Sequence, residues 1–146
     1  MTSRPCSAAR WIWSDAAPST STSVSRCSTM PGPCMRREFL ILSELRDAAI
    51  AARDLVGDLS APDINADPMR RAALLWQFTV LGEAANQIPD GIRDANPQIP
   101  WRAASRMRNR IVHGYWDIDV ETLVATAADD LPAMIAELEA LIGQFT

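Results

Sequence analysis

Histidine and tyrosine each occur once in this chain of 146 residues, as His113 and Tyr115. Arg108 lies five positions before the histidine, and Asn109 follows that arginine directly. Histidine exchanges protons near neutral pH more readily than other side chains, whereas arginine carries a permanent charge on a planar fork that fits phosphate oxygens. The cluster therefore indicates either chemistry on phosphate esters or binding of a phosphate group.

Each residue of this region also has a purely structural interpretation. A lone histidine near a helix C-terminus interacts favourably with the helix dipole, and Tyr115 and Trp116 are compatible with a place in the core or at a hinge. The arginines at 102, 106 and 110 are most simply a solvated helix face. A functional site is favoured by the combination of residues and not by any one of them.

Helices must position this cluster, because apolar residues from Met35 onward recur at three- and four-residue steps. The first predicted helix begins at Met35, and Gly57 together with residues 60–63 is predicted to end it and form a loop. Its predicted apolar face consists of Phe39, Leu42, Leu45, Ala49, Ala52 and Val56.

A second helix is predicted to follow a cap at Asp67, with Pro68 at its first position and its end before Pro89. Residues 90–100 are a proline-punctuated connection, with one helical turn predicted over residues 91–95. The apolar face of the second helix is predicted to comprise Ala72, Leu75, Phe78, Leu81, Ala85 and Ile88.

The third predicted helix runs from about Trp101 to His113, and Asp119 is predicted to cap a fourth. Pro132 lies inside the fourth pattern and is predicted to kink it. No segment alternates with period two for long, so we expect an all-α, up-and-down bundle of four main helices. The wide stripe of the fourth helix comprises Val120, Leu123, Val124, Ala127, Leu131, Met134, Ile135, Leu138, Leu141 and Ile142.

Charge is unevenly distributed along the chain. The formal net charge is −4 and no residue is a lysine, which argues against a broadly basic nucleic-acid coat but not against a local basic site. Five arginines fall between Arg93 and Arg110, and seven acids without a base fall between Asp117 and Glu139. We therefore expect a basic cleft beside an acidic last helix.

Residues 1–34 differ in composition from the rest, with many Ser, Thr and Pro residues and no helical or strand period. They are predicted to form a disordered leader, and the natural start is expected at Met35 or Met30. The odd number of cysteines predicts neither a disulfide framework nor a zinc site. No apolar run reaches the roughly 18 residues of a membrane span, and no signal peptide is evident, so a cytoplasmic protein is expected. The cysteines are Cys6, Cys27 and Cys34, and the leader also holds Trp11 and Trp13.

On the third helix Arg108 takes a position where a hydrophobic residue is expected, because it shares a face with Trp101, Ala104, Ile111 and Tyr115. A half-buried arginine is costly unless it meets a carboxylate or an anionic ligand.

Glu83, beside the apolar face of the second helix, is either that carboxylate or a surface acid. The neighbouring face of the third helix is predicted to carry Arg102, Arg106, Asn109, Arg110 and His113. Asn109 lies four residues before the histidine, which would allow its amide to orient the imidazole.

Cleavage of RNA needs no metal when the 2′-hydroxyl attacks the adjacent phosphorus, provided that one group moves protons and a cation stabilises the transition state. His113 is the expected acid or base, and Arg108 is the expected electrostatic stabiliser. Asn109 would position groups, and Arg102, Arg106 and Arg110 would hold the RNA backbone. One histidine per chain leaves no credible transition-metal site, and acid–base catalysis by two histidines requires a homodimer.

Four separated strings resemble the HepT family of HEPN-domain proteins, over about residues 36–142. The longest combines the arginine, the histidine and the tyrosine, which makes it far more specific than the bare spacing. The strings are Gly82-Glu83-Ala84-Ala85, Ile99-Pro100-Trp101-Arg102, Met107-Arg108-Asn109-Arg110-Ile111-Val112-His113-Gly114-Tyr115 and Asp130-Leu131-Pro132.

The resemblance implies a HEPN-like helical domain over residues 35–146 that forms a homodimer with the Arg/His motifs facing a shared cleft. It implies a metal-independent RNase toxin of a two-component toxin–antitoxin pair, without a cofactor. The implied partner is a minimal nucleotidyltransferase antitoxin of the MntA type, which transfers AMP from ATP to Tyr115.

Two other classes of function stay open at this point. The domain is alternatively a non-catalytic module in which the basic cleft only binds a nucleotide or docks a partner. A further alternative is that the chain serves chiefly as a substrate modified by its nucleotidyltransferase.

Overall fold

The computed structural model describes the backbone of residues 33–146 and the side chains of residues 35–146. The predicted leader, with its cysteines and tryptophans, lies outside the described residues apart from the first turn of the first helix. In chain order the helices are α1 (Pro33–Val56), α2 (Ala61–Ala66), α3 (Pro68–Gln87), α4 (Asp90–Ala95), α5 (Trp101–His113), α6 (Val120–Ala125) and α7 (Leu131–Gly143).

The four long helical segments pack as the predicted all-α bundle. α3 packs against both α1 and α5, and α7 packs against α1. The large side chains that are fully shielded from solvent include Leu42 and Leu45 of α1, Phe78 and Leu81 of α3 and Leu138 of α7. This core fixes α3, and α3 in turn carries α5, on which the candidate residues lie.

The residues of the predicted apolar faces are buried, except that Phe39 and Val124 are partly buried and one residue is exposed. Ala72 is exposed, so its assignment to the core face of the second helix was wrong. The buried residues Leu74 and Leu75 show that the core stripe passes on the other side of it. A methyl group gains little free energy from burial, so the larger neighbouring leucines determine which face of the helix packs against the core.

The loop predicted at residues 60–63 is instead the start of α2, which is a correction to the sequence analysis. Ser60 caps this helix, and its backbone N–H donates to Asp63 Oδ2 at 2.9 Å. Pro62 lies in the first turn, where its missing N–H costs no intrahelical hydrogen bond. The residues that predicted a loop therefore serve as helix-starting residues.

The fourth predicted helix is divided at the place where Pro132 was expected to disturb it. α6 ends at Ala125, a π-helical turn covers Thr126–Asp130, and α7 then begins at Leu131. A proline cannot donate to the residue four positions earlier and its ring clashes with that carbonyl. The predicted disturbance of the helix by Pro132 is therefore present as the wider, π-helical turn that precedes this proline.

The other predicted boundaries agree with the structure, except that α1 begins at Pro33, two residues before the predicted start at Met35. Asp67 caps α3 by accepting from two backbone N–H groups, and Asp119 caps α6 in the same manner from Glu121. The helical turn predicted at residues 91–95 is α4. In residues 33–146 no helix combines the length and the apolar character needed to cross a membrane.

Candidate active site

The candidate site is built on a close crossing of α3 and α5 at Gly82. A methyl group added to this glycine would lie 2.2 Å from Arg108 Cβ and 2.6 Å from the carbonyl oxygen of Ala104. No side chain fits between the two helices there, so glycine permits a contact that any other residue would force apart. The crossing places Arg108 directly against α3.

The guanidinium of Arg108 is held by two side chains. Its Nε lies 3.1 Å from Glu83 Oε2, and its Nη1 donates to Asn109 Oδ1 at 3.0 Å. The Nε is shut off from solvent and its N–H does not point at the carboxylate, so the attraction to Glu83 is chiefly that of opposite charges. Glu83 is thus the carboxylate that Arg108 meets, but its side chain is 48% exposed and not buried.

Asn109 contacts the arginine where the spacing had suggested the histidine. Its side-chain oxygen is taken by Arg108, and the described residues contain no hydrogen bond between Asn109 and His113. A neighbouring guanidinium is a stronger, charge-assisted donor than a neutral imidazole. Asn109 therefore steadies Arg108 rather than the ring of His113.

His113 is the last residue of α5, and its side chain is exposed. After Gly114 the chain turns into a short 3₁₀ helix at Tyr115–Asp117. The Tyr115 ring is 47% exposed and meets the Trp116 ring edge-on, with 5.8 Å between ring centres. The shared face predicted for Tyr115 ends with the helix, and the tyrosine lies instead at an accessible turn next to the histidine.

Arg71 also reaches this turn, although the sequence analysis did not identify it. Its guanidinium carbon lies 5.9 Å from the centre of the Tyr115 ring. Arg71 shares one helical face with Leu75, Phe78 and Gly82. An arginine on an apolar face was therefore the feature of the sequence that could have identified it. That is the same signal that identified Arg108.

The start of α5 is anchored by Trp101, which is buried and donates from Nε1 to the carbonyl oxygen of Asn96 at 2.9 Å. Arg102 and Arg106 are exposed beyond it and line a cavity of about 530 Å³ together with Arg93. Arg110 is exposed as well but borders Asp119 instead. In place of a purely basic cleft, the arginines on this side of α5 share their cavity with Asp90, which pairs with Arg93, and with Asp94.

A second concave region lies between α5 and α7. This groove of about 500 Å³ has an apolar floor that includes Phe78, Leu81, Met107 and Met134, and acids at its rim. The rim acids are Asp129, Asp130 and Glu137. Neither this groove nor the cavity beside Arg93 is lined by Arg108, His113 or Tyr115. His113 and Tyr115 are exposed, and Arg108 is partly buried.

Among the described residues, no three His, Cys, Asp or Glu side chains converge as a metal site would require. The donors at the end of α5 are instead an imidazole, a phenol and guanidinium groups. An imidazole can transfer a proton, and guanidinium groups can stabilise charge on phosphate oxygens. The arrangement fits chemistry on a phosphate ester.

Comparisons with known proteins point the same way. Residues 45–141 match the family described as Ribonuclease HepT-like. The chain is 28% identical over 100 residues to a protein named "Probable ribonuclease HepT" from Thermococcus cleftensis, covering 68% of this chain and 91% of the relative. It is also 28% identical over 108 residues to a protein named "Putative RNase MJ0127" from Methanocaldococcus jannaschii, covering 73% and 86%. No solved structure matches the chain.

Proposed function

Since the chain belongs to the HepT-like ribonuclease family, we propose that it is a metal-independent RNA endonuclease that acts through Arg108 and His113. One observation carries this proposal. The close crossing at Gly82 holds Arg108 against Glu83, on the helix that ends with the exposed His113. A fixed cation and an accessible proton carrier at one helix end are what cleavage of a phosphodiester needs.

The proposed step needs no reagent other than the RNA. The 2′-oxygen of one nucleotide attacks the adjacent phosphorus and loses its proton, while the bond from phosphorus to the 5′-oxygen breaks and that oxygen gains a proton. His113 exchanges one of these protons, and Arg108 binds the phosphate oxygens as their charge increases. Dependence on the 2′-hydroxyl selects RNA over DNA.

Glu83 and Asn109 act as positioning residues in this scheme. They engage Nε and Nη1 of Arg108, and the described residues leave its Nη2 without a hydrogen-bond partner. With Nε and Nη1 engaged, the guanidinium is held in place, and its Nη2 is left to donate to an anion without further loss of conformational freedom. Arg102, Arg106 and Arg110 would hold the strand on either side through its phosphates.

A homodimer would bring two histidines together, because each chain has one. Large apolar side chains are exposed beside the site, which supports a second copy covering this face. They are Met69 and Trp76 on α3 and Val112 and Trp116 around the end of α5. The two sites would then face a shared cleft.

We also assign a regulatory role to Tyr115, as the acceptor of AMP from an MntA-type nucleotidyltransferase antitoxin that restrains this RNase toxin. The tyrosine oxygen would attack the α-phosphorus of ATP and lose its proton, and pyrophosphate would leave. The half-exposed ring and its position two residues after His113 support this role. An attached nucleotide would place a bulky anion in the path of the RNA.

A non-catalytic module that docks a partner is the second candidate, and the groove between α5 and α7 favours it. Its apolar floor and acidic rim are features of a surface for a basic, amphipathic segment rather than for RNA. In that case the arginines of α5 would bind a nucleotide without cleaving it.

The deciding experiment incubates the purified full chain with single-stranded RNA or DNA, with and without EDTA. We expect internal cleavage of RNA that persists in EDTA, spares DNA and falls at least about 100-fold in His113→Ala. Light scattering on the same samples should give a dimer for both proteins. Cleavage that stops with EDTA but persists in His113→Ala would overturn the mechanism, and RNA binding without cleavage would favour the second candidate.

A further inference from the structure

Arg71 is a half-buried cation for which the proposed mechanism has no use. Its Nε is shut off from solvent and has no hydrogen-bond partner among the described residues, and its guanidinium lies over the Tyr115 ring. Arg71 forms no described ion pair. Five other arginines each form an ion pair with a carboxylate, and they are Arg46, Arg53, Arg70, Arg93 and Arg108.

The Nε–H group of Arg71 therefore lacks a hydrogen-bond acceptor among the described residues. The face of Tyr115 attracts the positive charge but offers no lone pair to the shielded N–H, and a buried donor without an acceptor destabilises the fold. The Nε–H is too shielded for a ligand to reach, but the terminal nitrogens of Arg71 have no described acceptor. The unesterified oxygens of a phosphodiester match such guanidinium N–H groups. The structure thus presents a cation oriented by an aromatic ring beside the proposed catalytic residues.

We propose that Arg71 is a phosphodiester-binding residue, which holds that group against the Tyr115 ring and extends the site from α5 onto α3. This inference rests on the proposed function. The phosphodiester has two possible sources, the RNA backbone and the nucleotide joined to the tyrosine oxygen. Both present the same chemistry to Arg71, and two arms of one experiment separate them.

The first arm measures binding of a short 2′-O-methyl RNA, which lacks the attacking hydroxyl, to the full chain over a range of salt concentrations. Arg71→Ala should bind about tenfold more weakly, as expected for loss of a charge-assisted hydrogen bond. Its plot of log affinity against log salt should be shallower by about 0.7, the value for one phosphate contact on a single strand. Arg71→Lys should keep the slope and lose part of the affinity, since lysine cannot form the paired contact.

The second arm uses protein modified by the nucleotidyltransferase with ATP and Mg²⁺ and identified by intact mass. A nonspecific phosphodiesterase is then added, and release of AMP is followed with time. If Arg71 holds the nucleotide phosphate, AMP should leave Arg71→Ala several times faster than wild type. If no variant gains mass, the proposed modification of Tyr115 has failed, and the RNA arm alone judges Arg71.

Arg46→Ala is the matched control, because it removes the same charge and, among the described residues, Arg46 forms its ion pair with its neighbour Asp47. Thermal unfolding shows which variants are folded, and Arg71→Lys supplies the comparison if Arg71→Ala is not. An effect in the first arm supports the RNA source, and an effect in the second supports the nucleotide source. Arg71 variants that match the Arg46 control in every arm that can be measured would overturn the inference.

Discussion

α5 meets its two neighbours in opposite ways. Against α3 it packs so closely that only a glycine fits at residue 82, and there Arg108 pairs with Glu83. Toward α7 it leaves a groove of about 500 Å³ with an apolar floor and an acidic rim. The candidate active site is on the closely packed side and not in this groove.

The contrast follows from what each region has to do. A cation that stabilises a transition state has to be fixed before the substrate arrives, and close packing between helices fixes it. An RNA strand is long and carries its charges along its length, so it needs an accessible surface rather than an enclosed pocket. A groove with acids at its rim repels phosphate and suits a different ligand. The proposed site therefore coincides neither with this groove nor with the cavity beside Arg93.

The largest expected effect comes from removing the cation on the closely packed side. Arg108→Ala should lower RNA cleavage at least about 100-fold, because a charged donor to the transition state is lost. Arg108→Lys should recover little, since a lysine cannot contact Glu83, Asn109 and the phosphate together. Initial rates on single-stranded RNA, measured with folded protein, provide the test.

The matched change on the groove side is the double variant Asp129→Asn/Asp130→Asn. Its cleavage rate should stay within about threefold of wild type, as is usual for exposed positions away from a site. A loss comparable to that of Arg108→Ala would show that the groove takes part in catalysis and that the contrast between the two sides is wrong.

Gly82 should show an intermediate effect, because its role is to allow the close crossing. Gly82→Ala places a methyl group 2.2 Å from Arg108 Cβ, and such overpacking costs about 1–3 kcal/mol. Alanine in a helix recovers roughly 1 kcal/mol of this. We expect a lower urea midpoint together with slower RNA cleavage, because Arg108 has to move.

Gly91→Ala is the control for this substitution. Gly91 also lies in a helix, but a methyl group added there meets no atom within 4 Å. Its stability should be unchanged or slightly raised, with wild-type cleavage. If Gly82→Ala behaves in the same way, the crossing tolerates more separation than its geometry indicates, and the position of Arg108 does not depend on it.

The sequence was sufficient for features that depend on neighbours along the chain. The apolar periods predicted four long helical segments, Asp67 and Asp119 were identified as caps, and the expected disturbance by Pro132 is found as a π-helical turn. Even the missed helix α2 had a local signal, since a serine followed three residues later by an acid is a typical capping box. Local hydrogen bonds of this kind are determined by residues that lie close together in the sequence.

Features that depend on contact between helices were harder to predict. Nothing in the sequence around Gly82 shows how closely α5 approaches, and the spacing of Asn109 favoured His113 although the amide binds Arg108. Arg71 and Tyr115 are 44 positions apart, so their contact depends on the register of two packed helices. The sequence identified residues able to do chemistry, while tertiary packing determined which of them meet.

The smallest expected effect concerns α2, which contacts α3 and α6 but neither side of α5 described above. Hydrogen bonds from the Ser60 hydroxyl and then from its backbone N–H hold the pKa of Asp63 below its usual 3.8. A carboxyl with a lowered pKa in the folded state adds stability above its ordinary pKa, and this gain is lost as pH falls through the lowered value. Asp63→Asn should therefore unfold at a slightly lower urea concentration than wild type at pH 6, with a difference that shrinks toward pH 3 and below.

Asp58→Asn is the control, because it removes a nearby carboxylate without a described hydrogen bond. It should show no such trend, and RNA cleavage should be unchanged in both variants. A clear loss of cleavage in Asp63→Asn would show that α2 supports the active site through α3, so that the contrast around α5 extends to its neighbours.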